Sequence, residues 1–167
     1  KLGCDEGMYG NPFSTMGKGS ASVAIPAMDM YRLHWMHADA FEVITASGTY
    51  ELNPLLSGNG NKRGAILFNS KAGGEIMFTE WRTATGLDSS LADPAYVSNT
   101  KGLLLYSDRG ALIDCRTWEP LEPSSAEQDM TQASINNEWY DWYGKFSIKI
   151  NTVDEVKGVI NFTVNFD

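Results

Sequence analysis

The C-terminal stretch constrains the fold more than any other part of this chain. Phe146, Ile148 and Ile150 alternate with Lys145, Ser147, Lys149 and Asn151. After a loop centred on Asp154-Glu155-Val156-Lys157-Gly158, Ile160, Phe162, Val164 and Phe166 alternate with Asn161, Thr163 and Asn165. A two-residue period gives each arm one apolar and one polar face, so both need a core on one side and water on the other. The pattern predicts an antiparallel hairpin.

The rest of the chain follows the same logic less regularly. Gly, Ser, Asn and Asp punctuate it at short intervals, with β-branched and aromatic residues between them, a mostly-β signature. Further strands are expected at Ser20–Ile25, Phe41–Ala46, Thr49–Leu52, Ala65–Asn69, Glu75–Trp81, Leu103–Ser107 and Ala111–Asp114. The unbroken apolar run Leu103-Leu104-Leu105 predicts a strand covered on both faces. Ser107-Asp108-Arg109-Gly110 and Ala72-Gly73-Gly74 read as turns between neighbouring strands. Ser124-Ser125-Ala126-Glu127 has the spacing of a capping box, which predicts one short helix near 125–135. The fold class that results is mostly β: a single-domain antiparallel β-sandwich, jelly-roll or Ig-like. Residues 1–19 read as an N-terminal extension or linker and residues 20–167 as the sandwich domain.

Composition narrows the function. With 21 acidic against 13 basic residues, the formal charge is −8. Phosphate recognition needs clustered Lys and Arg, so nucleic acid and anionic membrane surfaces are poor partners. No apolar stretch approaches the roughly 20 residues of a transmembrane helix. Leu2-Gly3-Cys4 is similar to the end of a bacterial lipoprotein signal, which makes Cys4 a candidate lipid anchor. Cys115 is the other cysteine. The two either close one long loop as a disulfide or serve separately, and neither arrangement supplies a structural zinc site. An extracellular or cell-envelope location, in the periplasm or on the outer surface, is the expectation.

One segment concentrates binding potential. Asn136-Asn137-Glu138-Trp139-Tyr140-Asp141-Trp142-Tyr143-Gly144 places four large aromatics in five positions. Carried backward from Phe146 without a break, the alternation assigns Tyr140 and Trp142 to the core. It assigns Trp139, Asp141 and Tyr143 to the solvent face. Two rings about 7 Å apart with a carboxylate between them suit a sugar, whose C–H faces stack on aromatics while its hydroxyls bond to acids. Trp139, Asp141, Tyr143 and Asn137 are therefore the candidate ligand-binding residues, and packing of all four rings into the core is the competing reading.

A second segment carries both histidines, within Met28-Asp29-Met30-Tyr31-Arg32-Leu33-His34-Trp35-Met36-His37-Ala38-Asp39. On a helix begun at Pro26, Met30, His34 and His37 fall on one face at i, i+4 and i+7. Thioether and imidazole together suit copper(I), and imidazole with carboxylate suits zinc. In ligand types only, the set resembles those of small periplasmic copper-binding proteins. A half-buried strand with Met as adaptable filler is the alternative.

Catalytic signatures are scarce. Nothing matches G-x-S-x-G, a P-loop, H-E-x-x-H or an EF-hand loop. Glu75 and Glu80 share an expected strand with opposite parity, which separates them as a glycosidase pair. Asn161-Phe162-Thr163 fits a glycosylation sequon. The reading that follows is a binding module, leaning away from an enzyme, with a glycan or cell-surface polysaccharide as ligand. A structural or assembly subunit, such as an adhesin, a pilus-like or a virion surface protein, is the second reading. It rests on a C-terminal strand able to pair across subunits. A periplasmic copper or zinc protein is the third.

Overall fold

The structure is a computed structural model that describes residues 23–58, 62–71, 76–93, 100–107, 138–141 and 145–167. It is mostly β, with two four-stranded sheets packed face to face as a sandwich. The strands are β1 (Phe41–Ile44), β2 (Gly48–Leu52), β3 (Gly64–Phe68), β4 (Ile76–Trp81), β5 (Leu103–Ser107), β6 (Glu138–Asp141), β7 (Phe146–Asp154) and β8 (Val159–Phe166). The first sheet runs β1-β3-β4-β5 and the second β2-β8-β7-β6.

The C-terminal hairpin forms as the alternation predicts, with Ile148 opposite Val164 and Ile150 opposite Phe162. Inward residues of both sheets meet in one core that includes Ile44, Leu67, Trp81, Leu105, Phe146, Ile148, Phe162 and Val164. Not every pair is antiparallel. Phe41–Ile44 pairs with Gly64–Leu67 in parallel. The chain leaves β1, crosses to the second sheet as β2, and returns, so β3 enters in the same direction as β1.

The first sheet is buried on its second face too, as Leu103-Leu104-Leu105 implies. Leu104, Tyr106, Phe78 and Phe41 point away from the sandwich core and join Ala27, Met28, Met36, Leu55 and Leu91 in a second cluster. The cover is a short helix, α1 (Ala27–Arg32), together with the segments on either side of it. Pro26 enters the helix with φ −55°, and Ala27 and Met28 are its buried residues. Tyr31 meets Phe41 edge-on at 4.9 Å, and the Arg32 guanidinium lies 5.8 Å from the centre of the Phe78 ring. Gly64 begins β3 where Phe41 crosses it: a Cβ there would lie 2.7 Å from the Phe41 ring, so only glycine fits.

A polar network is locked into this second layer. Glu80 and Arg82 lie on and just after β4, and both are buried. Glu80 Oε1 accepts from Arg82 Nε at 2.6 Å and from the Tyr106 hydroxyl at 2.9 Å, while its Oε2 accepts from the Ala27 amide. Arg82 Nη1 donates to the Ala24 carbonyl at 2.9 Å and to Asp88 Oδ1 at 3.1 Å. Asp88 Oδ1 in turn accepts from the Ala24 amide at 2.7 Å. Burial works against the Arg82 charge, but Glu80, Tyr106 and Asp88 outweigh it and hold the guanidinium protonated. Burial raises the Tyr106 hydroxyl pKa well above its usual value, and the Glu80 charge adds to the rise.

This network explains a departure from expectation. Val23–Ile25 fall in the expected strand Ser20–Ile25 but are irregular, because the Ala24 amide and carbonyl are taken by Asp88 and Arg82 rather than by a neighbouring strand. The expected helix near 125–135, the strand Ala111–Asp114 and both cysteines lie outside the described residues. Replacing Glu80 by Ala strips Arg82, Tyr106 and the Ala27 amide of a shared acceptor. The expected loss of stability is about 3–5 kcal/mol, the range for breaking a buried ion pair from one side. Urea unfolding of Glu80→Ala checks this, and a loss under about 1 kcal/mol would show that the network is not what holds α1 down.

Candidate binding surfaces

The outer face of the second sheet carries an ordered array of polar side chains. Alternation puts Thr49 and Glu51 of β2, Asn161, Thr163 and Asn165 of β8, and Ser147 and Lys149 of β7 on this face. Their neighbours Leu52, Phe162, Val164, Ile148 and Ile150 fill the core. One row crosses all four strands: Thr49 opposite Thr163, Thr163 opposite Lys149, Lys149 opposite Glu138.

A bulge organises the centre of the face. The register between β7 and β8 shifts between Ile150 and Thr152, which leaves Asn151 as an extra residue. Its amide nitrogen donates to Asn161 Oδ1 at 2.7 Å and to Thr163 Oγ1 at 3.0 Å. Asn161 donates to Glu51 Oε1 at 3.2 Å, and the Thr163 and Thr49 hydroxyls lie 3.2 Å apart. Glu51, Asn161, Asn151, Thr163 and Thr49 thus form one connected chain of carboxylate, amide and hydroxyl groups. Ser147 adds a bond to Glu138 on the β6 side.

The aromatic segment sits differently from the sequence reading. Trp139 pairs with Ile148 and Asp141 with Phe146. Residues directly opposite in an antiparallel pair share a face, so Trp139 and Asp141 occupy inner-face register positions. Tyr140, opposite Ser147, takes the outer-face position. A single alternation through 139–150 requires one unbroken strand. The chain instead reverses between Asp141 and Phe146, and each reversal resets parity. Asn137 and Tyr143 lie outside the described residues.

Met30, His34 and His37 are not brought onto one helical face. α1 stops at Arg32, and His34 adopts φ 56°, a left-handed conformation that ends the helical register. His37 instead caps the 3-10 turn Ala38–Ala40, its Nδ1 accepting from the Asp39 amide at 3.4 Å. Among the described residues no group of three His, Cys, Asp or Glu side chains gathers at metal-binding distance. Glu80, half of the carboxylate pair considered from the sequence, is committed to Arg82, and Glu75 lies outside the described residues.

Strand β8 pairs with β2 on one side and β7 on the other. The C-terminal strand therefore has no open edge to donate to a neighbouring subunit. No helix among the described residues is long and apolar enough to cross a membrane.

A cleft of about 570 Å3 opens at one end of the sandwich, lined by Pro54, Ser57, Thr83, Ala84, Thr85, Ala92, Thr100, Lys101 and Glu155. Comparison with known proteins returns no matching family model, no matching curated protein and no matching solved structure.

The β7–β8 turn, which carries Glu155 into the cleft, is held by Asp154. Its Oδ1 accepts from the Lys157 amide at 2.9 Å, and Oδ2 pairs with Lys157 Nζ at 3.3 Å. The amide bond first, with the Lys157 ammonium behind it, holds the Asp154 carboxyl below the usual carboxylate range. A depressed folded-state pKa contributes stability that is present above the unfolded value, near 3.9, and lost as pH falls through the folded value. The thermal midpoint of the wild type should therefore exceed that of Asp154→Ala at pH 6. The gap should close as pH drops below about 4, and a gap independent of pH would remove the carboxylate from the account.

Proposed function

We propose that this chain is a non-catalytic, secreted or cell-envelope binding module for a neutral glycan, which lies along the outer face of the second sheet. The observation that carries the reading is the connected row Glu51–Asn161–Asn151–Thr163–Thr49, built around the bulge at Asn151. An Asn amide both donates and accepts, as a hydroxyl does, so such a row matches a surface that is itself a row of hydroxyls. The groups are already bonded to one another, which fixes their rotamers before a ligand arrives and lowers the entropy lost on binding.

Charge sets the ligand class. At −8 the chain repels anionic polymers, and the face offers amides and hydroxyls rather than clustered cations. The aromatic residue of β6 at an outer-face register position is Tyr140, opposite Ser147.

The test is retention of the protein on immobilised neutral polysaccharides, with an acidic polysaccharide as control. Asn151→Ala and Thr163→Val, each removing one or two polar partners, are expected to weaken retention by about five- to tenfold per lost bond, at about 1 kcal/mol each. Trp139→Ala separates the sheet face from the aromatic segment as a whole. Equal retention of Asn151→Ala, Thr163→Val and wild type would overturn the proposal, as would binding to the acidic polymer alone.

A further inference from the structure

The cleft at the end of the sandwich has the construction of a second site. Its walls come from both sheets: the segment after β2, the segment after β4, the entry to β5, and the β7–β8 turn. Hydrogen bonds fix these segments relative to one another. The Leu55 amide donates to the Trp81 carbonyl at 2.8 Å, and Trp81 Nε1 donates to the Thr100 carbonyl at 2.9 Å. Trp81 itself is completely buried, so both walls hang from a fixed post in the core. On the other side, Asn53 Nδ2 donates to the Gly158 carbonyl at 2.8 Å, which anchors the β7–β8 turn. The volume lies within the roughly 300–1,000 Å3 of small-ligand sites, and a preformed concavity of that size is what such sites share.

The chemistry of the lining selects among ligands. Lys101 and Glu155 form an ion pair, each with its side chain 54% exposed. The pair is neutral as a unit, so the cleft favours neither an anion nor a cation. It does offer a strong donor and a strong acceptor side by side, which suits two adjacent hydroxyls: one accepts from the ammonium and the other donates to the carboxylate. Thr83 and Thr85, with hydroxyls 3.1 Å apart, add two groups that both donate and accept. Pro54, Ala84 and Ala92 supply apolar surface for the C–H face of a ring.

We propose that this cleft is a carbohydrate subsite that takes one or two neutral sugar residues, with a vicinal diol bridging Lys101 and Glu155. This rests on the carbohydrate reading of the module, but not on its sheet face. The two sites have complementary roles, because the sheet face follows the length of a chain while the cleft takes a chain end or a short branch.

The experiment is amide chemical-shift titration of the full chain with three probes: a neutral disaccharide (cellobiose or maltose), a uronic acid and free glycine. Expected are shifts at Thr83, Thr85, Lys101 and Glu155 with the neutral disaccharide. They should weaken by tenfold or more in Lys101→Met and in Glu155→Gln and persist in Thr163→Val. Shifts confined to the sheet face would overturn the inference, as would unchanged titrations in both cleft variants. A stronger response to the uronic acid or to glycine would also overturn it, because a charged ligand would then be the occupant. Both cleft residues are half-exposed, so the variants are expected to fold, and matching thermal midpoints verify that. Polysaccharide retention without cleft shifts sinks this inference alone; cleft shifts without retention sink the sheet-face site alone.

Discussion

The Arg82 guanidinium has no contact with water, and a charge in that position is tolerated only when its surroundings replace the solvent. Glu80, Asp88 and the Ala24 carbonyl do so, and in binding Arg82 they also bind backbone groups of residues 24–27. The consequence is a third layer. Segment 23–27 and α1 are drawn onto the outer face of the first sheet, and Phe41, Phe78, Leu104 and Tyr106 gain the cover that their apolar surfaces require. Without the network, that face would stand open beside a set of unsatisfied charges. Arg82 Nη2 and Asp88 Oδ2 find no partner among the described residues, so even the intact network is not fully satisfied.

Committing one sheet to burial on both faces leaves the other free for function. The second sheet is apolar inward, and its outer residues satisfy one another across strands; among the described residues no apolar cluster covers them. The asymmetry follows from side-chain alternation, since Leu103-Leu104-Leu105 cannot present a polar face and Lys149-Ile150-Asn151 cannot be buried on both.

This contrast also explains what the sequence made legible. Strand β8 could be read to within a residue, and β7 from its start to Asn151, because alternation encodes both the strand and its inward face; β7 runs on past the bulge to Asp154. The double burial of β5 was legible because the run Leu103-Leu104-Leu105 lacks that alternation. Four features were not. The parallel β1–β3 pair depends on topology, which no local pattern carries. The register of β6 depends on where the chain turns between Asp141 and Phe146, and a shift of one residue exchanges the faces. The fate of Val23–Ile25, the described part of the expected strand, was set by Arg82 and Asp88, about sixty residues away. The break of helical register at His34 comes from one left-handed residue for which neither Gly nor Asn gives a signal. The polar face itself was present in the alternation as Asn161, Thr163 and Asn165. What the sequence lacked was the bulge at Asn151, which turns separate polar residues into one connected row.

The β7–β8 hairpin then links the two proposed sites. Asn151 sits on the sheet face and Glu155 at the cleft, four residues apart on the same strand and turn. Between them Asp154 closes the turn onto Lys157, and Gly158, at φ 65°, lets it reverse and anchors it to Asn53. A strand of regular pleat would fix the offset between these positions by its rise alone. The bulge adds one residue and extra twist, so it sets at once how Asn151 meets Asn161 and Thr163 and how the turn carrying Glu155 approaches Lys101. Sheet face and cleft are therefore two ends of one rigid hairpin, and deletion of Asn151 would disturb both, whereas Asn151→Ala would disturb only the first.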